Sequence, residues 1–285
     1  PRIADAFSCA GRLHTAGVGL TGLRHGTPVA VGTGDDFSTA LGAGLVVPGP
    51  VSVGLGTGEV IGAVHTTPLI DEGGLVETHA YPAGGYFIEN PGWLGGGSVA
   101  WLMSVLGLSS PMELDNLAAA APAGADGLIF LPALSGAMAP RWRPSARGCF
   151  YGLTAAHGRS QMARSLLEGC AFAMRDVVTR LDEMGVGADP IILLGGGARS
   201  TLWSQIRADT ANRKVVVPPH TDTSPIGAAM LAAVASGALP DLAAAAKLVG
   251  GTGATFLPDA GRSAIYDDVY AAYRRLFDTL EPIFT

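Results

Sequence analysis

Two adjacent carboxylates, Asp35 and Asp36, follow the short apolar run Pro28 to Gly32 within the segment GTGDD (32–36). A carboxylate at the mouth of a cleft can take a proton as a general base or hold Mg2+ through water. It can also cap the small-residue helix that follows through Ala43, and spacing alone favours the cap. A second group is the glycine-rich turn GLGTG (54–58) between two strand-like runs. Such a turn can bring backbone N–H groups and the Thr57 hydroxyl against phosphate oxygens without side-chain obstruction. An ordinary hairpin turn fits the same residues equally well. Gly56, Gly58 and Gly62 also have a GxGxxxG spacing, but β-branched alternation follows instead of a helix, which argues against a dinucleotide turn. A third group, IILLGGGARS (191–200), runs a buried strand into glycines and then a helix. Close backbone approach there suits a flat nucleobase or ribose, and the helix N-terminus favours an anion nearby. The plainer alternative is a strand-to-helix turn capped by Ser200.

Other chemistries lack their residues. Neither lysine, Lys214 or Lys247, follows a glycine, so no GK[ST] phosphate loop is present, and there is no HExxH and no GxSxG. The histidines at 14, 25, 65, 79, 157 and 220 have no metal-ligand spacing, and Cys170 lies on an apolar helical face. Three cysteines (Cys9, Cys149, Cys170), odd in number and far apart, argue against a disulfide framework or thiolate zinc site and point to a reducing cytoplasm. A net charge of −6 with dispersed arginines lacks a nucleic-acid footprint. Apolar stretches such as Ile226 to Ala235 fall short of the roughly 18 residues a membrane span needs, and no secretory signal opens the chain. The expected partner is a small molecule.

Pattern and punctuation give the elements that must position these groups. Residues 51–65 read as two strands about the glycine turn; 95–107 and 112–121 as helices; 128–134 as a buried strand. Arg159 to Met184 has apolar residues at helical spacing (Met162, Leu166, Ala173, Val177, Leu181). After the strand at 191–197 come a helix at 199–212, a strand at 215–218, a small-residue helix from Pro225 to Ser236 and an amphipathic tail from Arg262 to Phe284. Strands alternating with helices predict an α/β fold with a helix-covered sheet. The boundary candidate is Pro48-Gly49-Pro50, with residues 1–50 read as the tail of one lobe and 51–285 as another.

In this order the segments resemble the FGGY carbohydrate kinases, and among them the xylulokinases most closely. The most specific match is GCFYGLTAAHGRSQMARSLLE (148–168), where Gly148, Phe150, Gly152, Leu153, Gln161, Met162, Ser165 and Glu168 fit the family's C-terminal signature. FLPALSG (130–136), LLGGGARSTLWSQIRAD (193–209), PIGAAMLAA (225–233) and GTGDDFSTALGAG (32–44) resemble further family blocks, from about Gly26 to the C-terminus. The resemblance implies an actin-like ATPase domain of ribonuclease H-like, hexokinase type, the C-terminal lobe of a two-lobed kinase. It implies Asp35 as the catalytic base and a water-mediated Mg2+ contact, with Asp35 and Asp36 facing the sugar. It implies Gly56 and Thr57 at the ATP phosphates, Gly96 at the nucleotide pocket, and Gly196, Gly197 and Ser200 at the adenine and ribose.

The implied reaction is transfer of the γ-phosphoryl of MgATP to a ketopentose hydroxyl, D-xylulose to xylulose 5-phosphate. The implied partner is an N-terminal lobe holding most of the sugar, so this chain alone would be nearly inactive. An apolar face left for that lobe makes a homodimer the other expectation. The sequence departs from the family at Ala137-Met138-Ala139-Pro140, usually a charged run; at Asp36, commonly Asn or Gln; and at Gly58, frequently Ser. These departures bear on which sugar is used, leaving ribulose, glycerol and erythritol as alternatives. A non-catalytic nucleotide-binding module of the same fold and a dinucleotide-dependent oxidoreductase are the rival classes.

Overall fold

A computed structural model describes residues 3–92, 94–251 and 253–285; Pro1 and Arg2 of the expected N-terminal segment lie outside the described residues. The chain enters with an antiparallel pair, β1 (Cys9–Arg12) and β2 (Pro28–Ala30), joined through α1 (Thr15–Thr21), which buries no residue. There follow α2 (Asp35–Gly42), β3 (Pro50–Leu55), β4 (Glu59–His65), β5 (Glu77–Ala80), β6 (Tyr86–Asn90), α3 (Gly95–Leu106), α4 (Pro111–Ala119), β7 (Ile129–Leu131) and β8 (Cys149–Tyr151). The long helix α5 (Arg159–Glu183) leads to β9 (Ala188–Leu194), α6 (Thr201–Ala211), β10 (Val215–Val217), α7 (Ser224–Ala235), α8 (Leu242–Ala246), β11 (Ala254–Phe256) and α9 (Ala260–Leu280). The expected strand at 128–134 is confined to β7, which pairs with β8 as a separate ribbon.

The central sheet has the order β11-β10-β9-β3-β4-β6-β5. Its middle, β10-β9-β3, is parallel, and the flanking pairs are antiparallel. The parallel strands therefore end on one edge, and the segments after β3, β9 and β10 meet there. Open α/β sheets place their ligands outside such carboxyl ends.

Period-two alternation assigns each strand two faces. Val51, Val53 and Leu55 of β3 pack with Ala173, Met174, Val177, Val178 and Leu181 of α5 on one face. Each Val, Leu or Met among them, fully buried, contributes about 1.5–3 kcal/mol. Val64 and Phe87 face the other layer, packing with α2 (Ala40, Leu41), α7 (Met230, Leu231) and α8 (Leu242, Ala245). A third cluster joins the opposite side of α5 to α3, α4, α6, β7 and α9.

Two tight contacts set these layers. A Cβ on Gly42 would stand 1.9 Å from Thr223 O, and one on Gly227 would stand 2.0 Å from Ser38 O, so α2 and α7 meet backbone to backbone. The same crossing is tied by Ser38 Oγ donating to Ser224 O at 2.9 Å and Thr223 Oγ1 donating to Thr39 O at 2.7 Å. Helix α2, upstream of the proposed 50/51 boundary, is thus packed into the layer that carries α7. Glu168, the acid of the 148–168 signature, is buried. It accepts from Arg164 Nε at 2.7 Å, Tyr266 Oη at 2.9 Å and Gly124 N at 3.0 Å, tying α5 to α9 and the 122–127 loop.

Candidate functional site

A cleft of about 540 Å3 opens at the carboxyl edge of the parallel strands. Asp35 and Asp36 at the start of α2 line it together with Gly56, Thr57 and Gly58 after β3, Gly195 after β9, and Thr221 to Thr223 after β10. Sequence spacing favoured a helix cap for the acidic pair. The structure instead makes Gly34 the N-cap, with no side-chain capping bond, and places both acids in the first turn. Carboxylates there are favoured by the positive end of the helix dipole.

The two acids differ in what holds them. Asp36 folds back on its own helix, its Oδ1 accepting from Phe37 N at 2.8 Å. Asp35 is exposed on the cleft wall, with no side-chain hydrogen bond or ion pair among the described residues.

The glycine turn is a three-residue hairpin connection: Leu55 pairs with Glu59, leaving Gly56, Thr57 and Gly58 to project into the cleft. Because strand β4 follows, the dinucleotide reading of the GxGxxxG spacing has no helix N-terminus to supply and fails. Gly96 braces the turn from behind. Its N–H donates to Gly56 O at 3.1 Å, Gly97 N donates to Thr57 O at 3.0 Å, and a Cβ on Gly96 would meet Gly56 O at 2.3 Å.

Of the three positions expected at the adenine and ribose, none lines this cleft. Gly196 has open space where its Cβ would be. Gly197 packs under Leu55 and Trp203, a Cβ there meeting each at 2.9 Å. Ser200 caps α6, accepting from Trp203 N at 3.0 Å. Burial pushes the carboxyl of Asp115 on α4 up, with nearby Ser200 acting against that rise. Gly195, one residue earlier than expected, reaches the cleft with φ of 80° and with a would-be Cβ 2.7 Å from Leu55 O.

Three further groups escaped the sequence reading. The Thr221-Asp222-Thr223 segment, between β10 and the proline-started α7, joins the cleft through Gly195 N donating to Thr221 O at 2.7 Å. The two threonines around an aspartate ahead of Pro225 were the available signal. Glu89 of β6 is buried on the side facing Asp36; its Oε2 has no hydrogen-bond partner, and His79 Nε2 lies 3.6 Å from Oε1. Burial, with Asp36 and Glu77 adding repulsion, pushes the Glu89 carboxyl up to about 8. Glu59 and Arg207 form a wholly buried pair behind the turn, with Nη1 to Oε1 at 2.6 Å and Nη2 to Oε2 at 2.8 Å. They stand 148 positions apart, so no local pattern could join them.

Asp35, Asp36 and Asp222 give the cleft lining three acids and no lysine or arginine. Among the described residues no three His, Cys, Asp or Glu side chains converge on one point. That set suits a divalent cation held largely through water, the habit of Mg2+ beside phosphates, more than an all-protein cage. Among the described residues no helix is long and apolar enough to cross a membrane.

A mixed sheet clad with helices on both faces, with a glycine turn and an acid-bearing helix opening on one cleft, defines the actin-like ATPase fold. Comparison with known proteins specifies it further. The sequence profile of the FGGY family of carbohydrate kinases, C-terminal domain, matches residues 51–236. The xylulose kinase of Escherichia coli (strain K12) is 34% identical over 263 residues, covering 90% of this chain and 53% of that protein. The gluconokinase of Bacillus subtilis (strain 168) is 32% identical over 238 residues, covering 79% and 46% respectively. Among solved structures, the xylulose kinase from Rhodospirillum rubrum superposes with a TM-score of 0.85 at 32% identity, covering 100% of this chain and 58% of that one. The chain belongs to the FGGY family of carbohydrate kinases. It spans about half the length of the curated relatives it matches.

Proposed function

We propose that this chain supplies the nucleotide-binding lobe and the general base of an ATP-dependent sugar kinase. The reaction is transfer of the γ-phosphoryl of MgATP to a ketopentose hydroxyl, with D-xylulose giving xylulose 5-phosphate. The observation that carries this reading is the juxtaposition in one cleft of Asp35, free of side-chain partners among the described residues, and the Gly56-Thr57-Gly58 turn. Residues 51–285 form the nucleotide-binding lobe in this reading, and residues 1–50 the end of an N-terminal lobe that binds most of the sugar.

Asp35 accepts the hydroxyl proton as that oxygen forms its bond to the γ-phosphorus. The bond from phosphorus to the bridging oxygen breaks, and its electron pair leaves with ADP. Such a transfer asks the protein for positioning and charge stabilisation more than covalent chemistry. The turn's backbone N–H groups and the Thr57 hydroxyl hold phosphate oxygens, and the adenosine extends beyond the cleft lining toward Gly196, Gly197 and Ser200 on the helix α6 side. Asp36 lies toward the sugar. Asp35 would hold Mg2+ through water, and the ion would supply positive charge against the phosphates, which no basic side chain of the cleft lining provides. The three cysteines are free thiols, in keeping with a reducing cytoplasm.

The acceptor is the least constrained part, because relatives of similar identity carry the names xylulose kinase and gluconokinase. Phosphoryl transfer measured across xylulose, gluconate, ribulose, glycerol and erythritol tests it, using a protein that carries both lobes. Xylulose is expected to give the highest kcat/KM, and the 285-residue chain alone is expected to give little or no product. Nucleotide binding without transfer to any acceptor would instead establish a non-catalytic module of this fold. Turnover by the isolated chain at the ordinary kinase rate of roughly 1–100 per second would refute the two-lobe reading.

A further inference from the structure

The ground behind the phosphate turn is built with unusual care. Glu59 is the first residue of β4 and pairs with Leu55 to close the turn, so its backbone moves with Gly56, Thr57 and Gly58. Its side chain points away from the cleft and is fully buried, as is that of its partner Arg207. Arg207 lies on α6, the helix that begins directly after the glycine segment and Ser200. The guanidinium fork meets both carboxylate oxygens, a planar bidentate geometry that lysine cannot reproduce.

The pair is boxed in on every side. A Cβ on Gly95 would stand 2.6 Å from Glu59 Oε2, and one on Gly92 would stand 2.8 Å from Glu59 O. The Arg207 guanidinium lies 4.4 Å from the Trp203 ring centroid, and Trp203 Nε1 donates to Leu167 O at 3.0 Å. Trp203 in turn underlies Gly197 and is capped by Ser200. A continuous path of close contacts thus runs from the phosphate turn through Glu59, Arg207 and Trp203 to the glycine segment.

A buried ion pair returns little net stability compared with apolar residues of the same volume, whereas it fixes geometry closely. We propose that Glu59 and Arg207 are positioning residues that lock the Gly56–Gly58 turn to the Gly196–Ser200 segment, so that the two hold one nucleotide as a single rigid cradle. This rests on the nucleotide reading of the cleft. A nucleotide that touches both segments gains from their fixed separation, because the second contact becomes intramolecular and needs no further ordering. Adenosine touches only one segment and gains nothing from the lock.

The test is a titration of the 285-residue chain and its Glu59→Gln variant with MgADP and, separately, with adenosine, followed by NMR so that millimolar affinities are readable. Thermal melting checks that the variant is folded. If Glu59→Gln does not fold, the paired replacement Glu59→Leu with Arg207→Met, which leaves no unpaired charge, carries the same comparison. The expected result is a loss of about tenfold or more in MgADP affinity with adenosine affinity within twofold of the parent. MgADP affinity within twofold of the parent in a folded variant would overturn the proposal. So would an equal weakening of both ligands, which would mark the pair as support for the fold alone. If the parent chain itself bound neither ligand, the nucleotide reading would fail first and the positioning role with it.

Discussion

The two sides of the phosphate turn treat charge in opposite ways. Behind it, Glu59 meets Arg207 in a bidentate pair with no solvent exposure on either side chain. In front of it, Asp35, Asp36 and Asp222 line the cleft with no basic residue among them, and Glu89 sits buried nearby with an oxygen that has no partner. The rear pair is balanced in charge, although Arg207 Nε has no hydrogen-bond partner, whereas the front has acid in excess. A surface balanced in charge on one side and acidic on the other is what a site needs if it is to receive a metal–phosphate ligand on a rigid support.

The largest effect that could break the comparison is expected at Asp35. In a protein with both lobes, Asp35→Ala should lower kcat by about 10^2–10^4, the usual contribution of a general base, with little change in ATP affinity. Asp36→Ala should cost much less, because its carboxylate is engaged with Phe37 N on its own helix. Equal losses at the two positions would erase the distinction between them.

At the rear, Glu59→Gln should destabilise the chain by about 3–5 kcal/mol, read by denaturant unfolding, because it strands a buried guanidinium. A smaller effect is expected at the brace. Gly96→Ala sets a methyl 2.3 Å from Gly56 O. The turn must shift, at about 1–3 kcal/mol of stability and with weaker nucleotide binding. Gly56→Ala is the contrasting case: its methyl meets nothing closer than Gly58 O at 3.6 Å, so stability should hold while phosphate approach is hindered.

The mildest prediction concerns pH. Glu89 keeps its proton in the folded chain up to about 8, against 4.5 as its ordinary value. Between those values the folded state binds more protons than the unfolded one, so this group's contribution to stability falls as pH rises. The contribution is fully present below about 4.5 and is lost as pH passes about 8. Glu89→Gln should flatten the fall, which amounts to a few kcal/mol at most, in melting temperatures followed from about pH 5 to about pH 8.5. An unchanged slope would mean that Glu89 is already ionised and neutralised at neutral pH.

Periodic segments were legible in the sequence, and composite sites were less so. Alternation from Val51 to His65 and the apolar spacing of Arg159 to Met184 predicted β3, β4 and α5, because one buried face dictates the pattern. By contrast, β1 and α1 bury nothing, so no pattern marks them. β5 and β6 went unread because their short runs, ETHA and YFIEN, carry too few alternations around an irregular connection. GTGDD and GLGTG could be picked out as polar and glycine breaks at strand ends, and the structure brings both to one cleft. Gly96 could not be told from a ligand-facing glycine, since a glycine that admits a phosphate and one that admits a neighbouring backbone look alike in sequence. The Thr221–Thr223 segment left a faint local signal ahead of Pro225, whereas the Glu59–Arg207 pair joins residues 148 positions apart, which no local spacing records.

The most direct measurement is a crystal structure of a two-lobed protein carrying this chain, bound to Mg2+ and a non-hydrolysable ATP analogue. The account expects the terminal phosphate beside Gly56 and Thr57, with the Asp35 carboxylate facing it from α2 and the acceptor hydroxyl between them. A triphosphate lying away from residues 56–58, or Asp35 turned from it onto its own helix, would contradict the account.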